Sequence, residues 1–288
     1  MKTTCFRLFM LVLGFGFGFS AACGDDDSDP SSKDAAVSTD ADVASDAQAS
    51  GDDAGSDDGE DPSSTTTVLD LDDVKTNPTD YEWFDFRPNI KKLILAGAAE
   101  TEHIAILWYT TTDGGVALHY HSKTESVYVV DGSQTDAKGT YPTGSMYFNP
   151  PGSGHQVTDS SGFFLLAYAA PPDFANTALI GEYTPVRIDT TSEDFTSMYP
   201  FEKKKDGVRT FEAPLDVEGG MSAEFIELGS AKKYDYTGNY VLVLQGECEI
   251  EGSEYGENKV VVTKTVDTQP FSVAAPKGSS CLAVGVSF

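Results

Sequence analysis

Residues 115–132 read GVALHYHSKTESVYVVDG, and residues 144–155 read GSMYFNPPGSGH. The first stretch places His119, His121, Glu125 and Gly132 in order and ends in SVYVV, which has the length and composition of a strand. Histidines two apart on a strand share one face, and Glu125, an even step beyond His121, stays on that face if the strand continues. The second stretch adds His155 behind the turn formers Pro150, Pro151 and Gly152. Three of the chain's four histidines therefore fall in two short segments with a carboxylate between them. Three imidazoles and one carboxylate suit one divalent transition metal, namely iron, zinc, manganese or nickel, with a position or two left for water or a ligand. The competing reading is four satisfied structural side chains. The joint occurrence of the set inside predicted strands, with the glycines and prolines that turn those strands, favours the metal. His103 lies outside both segments and reads as structural.

The same texture continues on either side. HIAILWY (103–109), SMYF (145–148) and FFLLAYA (163–169) precede VRTFEA (208–213), AEFIEL (223–228), YVLVL (240–244), KVVVTKTV (259–266) and CLAVGVSF (281–288). These runs are short, apolar and broken by Gly, Pro, Asp and Asn, and none sustains a helical period. ANTALIGEY (175–183) is the one candidate for a short helix. Many closely spaced strands predict an all-β chain of the sandwich or barrel class. A polar stretch around 185–207 divides the run into two halves of similar rhythm, so two β-domains are expected, at 67–185 and 186–288.

Both segments together resemble the cupin family, whose first motif is written G-x5-H-x-H-x3,4-E-x6-G and second G-x5-P-x-G-x2-H-x3-N. His119 through Gly132 fit the first, and Gly144 through His155 fit the second. Gly114 and Gly115 come late for the opening glycine, and Asp159 stands in the place of the closing asparagine. The string KGTYPTGSMYFNPPGSGH (138–155) is further similar to the ChrR-like cupins. The resemblance implies a bicupin of two jelly-roll barrels with His119, His121, Glu125 and His155 as metal ligands. It also implies a small-molecule ligand or substrate. Within that subgroup it leaves two outcomes open: an oxygen-dependent oxidoreductase of small oxygenated organics, or a non-catalytic metal or ligand sensor. No catalytic residue beyond the ligands stands out, so catalysis itself is left open.

In the second half the stretch from Asn239 to Gly246 repeats the spacing from Glu125 to Gly132. Counting back puts Lys233 and Asp235 opposite His119 and His121, while PKGSSC (276–281) puts Cys281 opposite His155. A lysine, one carboxylate, an amide and a thiol make a poor metal cage, so this half reads as a degenerate cupin. Cys248 and Cys281 could pair in an oxidising compartment or remain two buried thiols.

The N-terminal end points to export. Lys2 and Arg7 precede the apolar run 8–19, which is too short for the roughly 20 residues of a membrane span. Residues 1–22 read as a signal peptide ending in SAAC, which resembles a lipobox and marks Cys23 for lipidation; a plain secretory signal cut at the same bond is the alternative. Residues 23–66 form an acidic tether: 24–64 hold fourteen acidic residues and one lysine, no aromatic, and too little apolar surface to offset chain entropy. No EF-hand spacing appears in it. The formal charge of −27 thus divides into +2 on the signal, −13 on the tether and −16 beyond it. Such acidity argues against nucleic acid as a partner. The expected location is the periplasmic or cell-surface side of a bacterial membrane, reached through an N-terminal lipid anchor, with inner and outer membrane both left open. Assembly as a homo-oligomer is left open.

Overall fold

The computed structural model describes residues 64–288. The signal segment, Cys23 and all but the end of the tether lie outside the described residues. Among those described, no helix is long and apolar enough to cross a membrane.

Nineteen strands carry the fold among the described residues. The first nine are β1 (Thr66–Asp70), β2 (Phe84–Arg87), β3 (Ile90–Gly97), β4 (His103–Tyr120), β5 (Glu125–Asp136), β6 (Gly139–Pro142), β7 (Ser145–Asn149), β8 (Gly154–Tyr168) and β9 (Val186–Asp189). Next come β10 (Glu202–Lys203), β11 (Val208–Glu212), β12 (Ser222–Leu228), β13 (Lys233–Gly238) and β14 (Tyr240–Gly246). The last are β15 (Cys248–Ile250), β16 (Ser253–Tyr255), β17 (Lys259–Thr263), β18 (Gln269–Ala274) and β19 (Cys281–Ser287). Helix α1 (Leu71–Thr76) starts where the Asp70 carboxylate accepts from the amides of Asp72 and Asp73, and it buries Leu71 and Val74. The expected helix near 175–183 is a single 3-10 turn at Thr177–Leu179.

The protein is all-β and of the jelly-roll class. Its first sheet runs β2-β3-β4-β8-β5-β7-β9, with β6 added to β5. Strands β2 and β9 remain as edges, so the sheet is rolled but open rather than sealed into a ring. Register shifts along β4 and β5, between Tyr109 and Gly114 and between Val129 and Asp131, mark where these long strands bend. Gly132 sits just past the second bend with φ +80°, and a Cβ there would come within 2.1 Å of the Ser161 carbonyl. The motif glycine is thus required by both conformation and space.

Beyond β9, a seven-stranded sheet β1-β17-β14-β19-β12-β11-β10 faces a four-stranded sheet β13-β18-β15-β16. The halves exchange strands. β1 precedes the first half yet pairs with β17, Thr66 opposite Thr263, while β9 follows residue 185 yet pairs with β7, Phe148 opposite Val186. Sheet membership therefore crosses the 185/186 division at both ends of the first half.

Three apolar clusters explain the continuous apolar runs. In β5, Val127 and Val129 face the interior of the first half, while Tyr128 and Val130 face the other way, into a cluster shared with the second half. In β14, Tyr240 and Leu242 join that shared cluster, while Val241 and Val243 face the second interior. Strands buried on both faces lose the apolar–polar alternation of a half-exposed sheet.

Candidate metal centre

The site forms where β4, β5 and β8 meet. His119, next to last in β4, lies directly opposite His155 near the start of β8. His121 falls one residue beyond β4, and its backbone is held by the 150–153 turn: its amide donates to Ser153 O and its carbonyl accepts from Gly152 N, both at 2.9 Å. Glu125 opens β5 between Asn149 of β7 and Tyr168 of β8. The turn formers read from the sequence thus bring His155 back against the HxH pair.

All four side chains are buried, and one ligand atom from each lies within 4.8 Å of the others. His121 Nε2 and His155 Nε2 stand 3.5 and 3.6 Å from Glu125 Oε2. Atoms bound at about 2.1 Å to a common ion sit about 3–4 Å apart, so the spacing fits. The ring nitrogens point the same way. His119 Nδ1 donates to Ala117 O at 2.9 Å and His155 Nδ1 donates to Asp136 Oδ2 at 2.8 Å, leaving each Nε2 as a lone-pair donor aimed at the others. His121 is 1% exposed, yet neither of its ring nitrogens has a hydrogen-bond partner. A buried polar atom without a partner is costly, and a cation at the centre of the group would satisfy it. Burial first, then the adjacent imidazoles, press His119 and His121 down to about 3, so both are neutral ligands at any ordinary pH.

Two polar supports escaped the sequence reading. Asp136 has a fully buried side chain; burial pushes its carboxyl up, but bonds from His155 and the amides of Lys138 and Gly139 outweigh this and hold it below the usual range. Asn149 Nδ2 donates to Glu125 Oε2 at 2.8 Å. Carboxylates and amides behind metal-binding side chains fix their orientation and tautomer. His103 lies apart from the group, fully buried, with Nε2 3.1 Å from Lys92 Nζ.

The second half does not gather an equivalent set. Lys233 and Asp235 point to solvent and pair with each other at 3.6 Å. Inward from β13 comes Tyr236, so counting back by the motif spacing lands one residue off the inner face. Asn239 spends its amide on Val266 O and Phe288 N, and Cys281 forms a disulfide with Cys248.

A rolled sheet of the jelly-roll class brings three imidazoles and a carboxylate together where β4, β5 and β8 meet, a group that could hold a metal ion. Residues 71–171 match the ChrR cupin-like domain, a span that encloses all four site residues. No curated protein matches the chain significantly. Among solved structures it is similar to a candidate dioxygenase from Nostoc punctiforme, at 10% identity and TM-score 0.51 over 77% of this chain and 82% of that one. A cupin 2 conserved barrel domain protein from Leptotrichia buccalis gives 7% identity and TM-score 0.49 over 77% and 95%. Salicylate 1,2-dioxygenase from Pseudoaminobacter salicylatoxidans gives 11% identity and TM-score 0.47 over 76% and 80%. At these identities the likeness is one of fold.

Proposed function

We propose that the chain is an exported bicupin, anchored through a lipid on Cys23. Its first half, residues 67–185, binds one divalent transition metal through His119, His121, Glu125 and His155. It acts there as a dioxygenase-type oxidoreductase on a small oxygenated organic molecule. The second half, 186–288, is a degenerate cupin without a metal. The observation that carries the reading is His121, buried with both ring nitrogens unpartnered and 3.5 Å from the Glu125 carboxylate. A bound metal would supply Lewis acidity and, if it is iron, one-electron redox chemistry. Around it the chain's own residues do the rest. Asp136 and the Ala117 carbonyl hold two imidazoles in the ligating tautomer, Asn149 turns Glu125 inward, and Val116, Val157, Leu166 and Phe174 exclude bulk water. The candidate dioxygenase of the same fold belongs to the activity class proposed here.

One observation favours a second reading, a non-catalytic metal or ligand sensor. The free space beside His119 and Glu125 is about 20 Å³, room for roughly one water. The test has two parts. Protein expressed with iron, zinc, manganese and nickel supplied should carry close to one equivalent of metal, lost in His119→Ala/His121→Ala; less than a tenth of an equivalent in the parent would sink the metal. Oxygen uptake by iron-loaded protein across diketones, catechols and flavonols then separates enzyme from sensor.

A further inference from the structure

A second cavity, of about 460 Å³, lies against the first and shares Phe86, Pro172 and Phe174 with it. The partition is thin: the Phe174 ring centroid is 5.3 Å from that of His119. Two cations line the outer cavity, Arg87 and Lys92. Neither has a carboxylate partner within ion-pair distance among the described residues, which is notable in a chain of formal charge −27. The Arg87 guanidinium stacks 4.6 Å from both the Phe86 and Phe174 rings, and Lys92 Nζ sits 4.3 Å over Phe86. Asp85 also borders the cavity but is paired with Lys91 at 3.0 Å, leaving Glu100 as the unneutralised acid at its rim.

Lys92 is 1% exposed, and its surroundings leave it donors to spare. His103 Nδ1 donates to the Thr101 carbonyl at 2.7 Å, so His103 Nε2 accepts from Lys92 at 3.1 Å. That uses one of three ammonium hydrogens, and the ammonium otherwise lies against the faces of Phe86 and Tyr168. Burial pulls the ammonium down to about 8 against an opposing pull from Glu125, which still leaves it mostly charged at pH 7. Phe86, which covers it, sits where the β2–β3 register slips between Asp85 and Arg87, so the cover belongs to an irregular edge strand.

We propose that this outer cavity is an anion-binding antechamber: Arg87 and Lys92 take the carboxylate of a small organic acid whose uncharged end passes between Phe86 and Phe174 towards His119 and Glu125. The direction of the uncharged end rests on the four-residue group being the reactive centre; the carboxylate pocket itself does not.

The test is calorimetric titration of the full chain with benzoate, 2-oxobutyrate and acetoacetate, each against its uncharged amide. At least one acid should bind tenfold or more tightly than its amide. Arg87→Gln and Lys92→Met should each weaken that acid at least tenfold, the scale of a charge-assisted hydrogen bond. The preference should persist in His119→Ala/His121→Ala, so that failure of the metal reading leaves this result standing. Bromine anomalous scattering from 4-bromobenzoate soaked into crystals should place the carboxylate between Arg87 and Lys92. The proposal is overturned if no acid is preferred tenfold, or if both substitutions change the preferred acid's affinity by less. Should Lys92→Met fail to fold, Arg87→Gln decides alone, because its side chain is exposed.

Discussion

Replacing Asp136 by Asn tests the site through an atom that never touches the metal. The Asp136 carboxylate divides its work: Oδ1 accepts from the amides of Lys138 at 2.7 Å and Gly139 at 3.1 Å, while Oδ2 accepts from His155 Nδ1 at 2.8 Å. In Asp136→Asn the amide oxygen keeps the two turn bonds, because the flipped amide would lose both. The NH2 group then faces His155 Nδ1, placing two donors opposite each other. The conflict is relieved only if His155 moves its proton to Nε2, the atom that points into the site, or gives up the bond. Either way metal binding must reverse the change. Loss of such a supporting carboxylate costs about 10–100-fold in metal affinity, or about 1.4–2.8 kcal/mol. Without metal the other tautomer is tolerated, so the metal-free variant should unfold at nearly the parent's urea midpoint. Competition for zinc against a chromophoric chelator at pH 7.5 reads the affinity. A dissociation constant within threefold of the parent's, with His155→Ala abolishing binding, would refute the tautomer argument.

Two further outcomes follow from the same geometry. The Cys248–Cys281 disulfide spans a sequence separation of 33, for which loop-closure entropy gives about 4 kcal/mol; Cys248→Ala/Cys281→Ala should lose about that much in urea unfolding, and a loss under 1 kcal/mol contradicts the entropic account. His103, His119 and His121 are buried, with pKa values lowered from an unfolded value near 6.5 to about 4, 3 and 3. Below pH 6.5 the unfolded chain therefore binds more protons. Their contribution is full above that value and lost as pH falls towards 3, by about 2 kcal/mol per histidine between pH 7.5 and 5.0. Urea unfolding of metal-free protein at both pH values measures it; equal stabilities would show that these imidazoles are not held neutral.

The parts of the site legible in the sequence are those governed by strand period and turn chemistry. His119, His121, Glu125 and His155 could be grouped because alternate residues share a face and because Pro150, Pro151 and Gly152 turn the chain back. Asp136 and Asn149 were not legible, since each meets its partner through register: Asp136 reaches His155 across nineteen residues, and Asn149 reaches Glu125 across twenty-four. In sequence both look like turn residues, one before Lys138-Gly139 and one before Pro150. The apolar runs predicted β4, β5, β7, β8, β11, β12, β14, β17 and β19, but run length carries no pairing information. The exchange of β1 and β9 between sheets was therefore out of reach. Lys233 and Asp235 fail for the opposite reason: the motif spacing transfers along the chain, but a one-residue slip in β13 turns both outward and brings Tyr236 in.

The second half holds no converging ligand set, yet it bears on the site at two levels. Tyr128, Met146 and Phe148, on the far side of the strands that present Glu125 and Asn149, pack into the same buried cluster as Phe225, Tyr240 and Val284. The segment between His121 and Glu125 is also tied down from outside its own half: Thr124 N donates to Gly219 O at 3.1 Å, and Lys123 Nζ donates to Glu218 O at 2.9 Å. These bonds fall on the four-residue step that sets the distance between two candidate ligands. A site is held to sub-ångström geometry when its backbone and the far faces of its strands are both fixed. The strand exchange makes the support mutual, because pulling the halves apart breaks the β1–β17 and β7–β9 ladders as well as the shared cluster. A second half whose interior is filled by a disulfide, Tyr236 and Phe271 therefore serves as the rigid backing of the half that carries the candidate site.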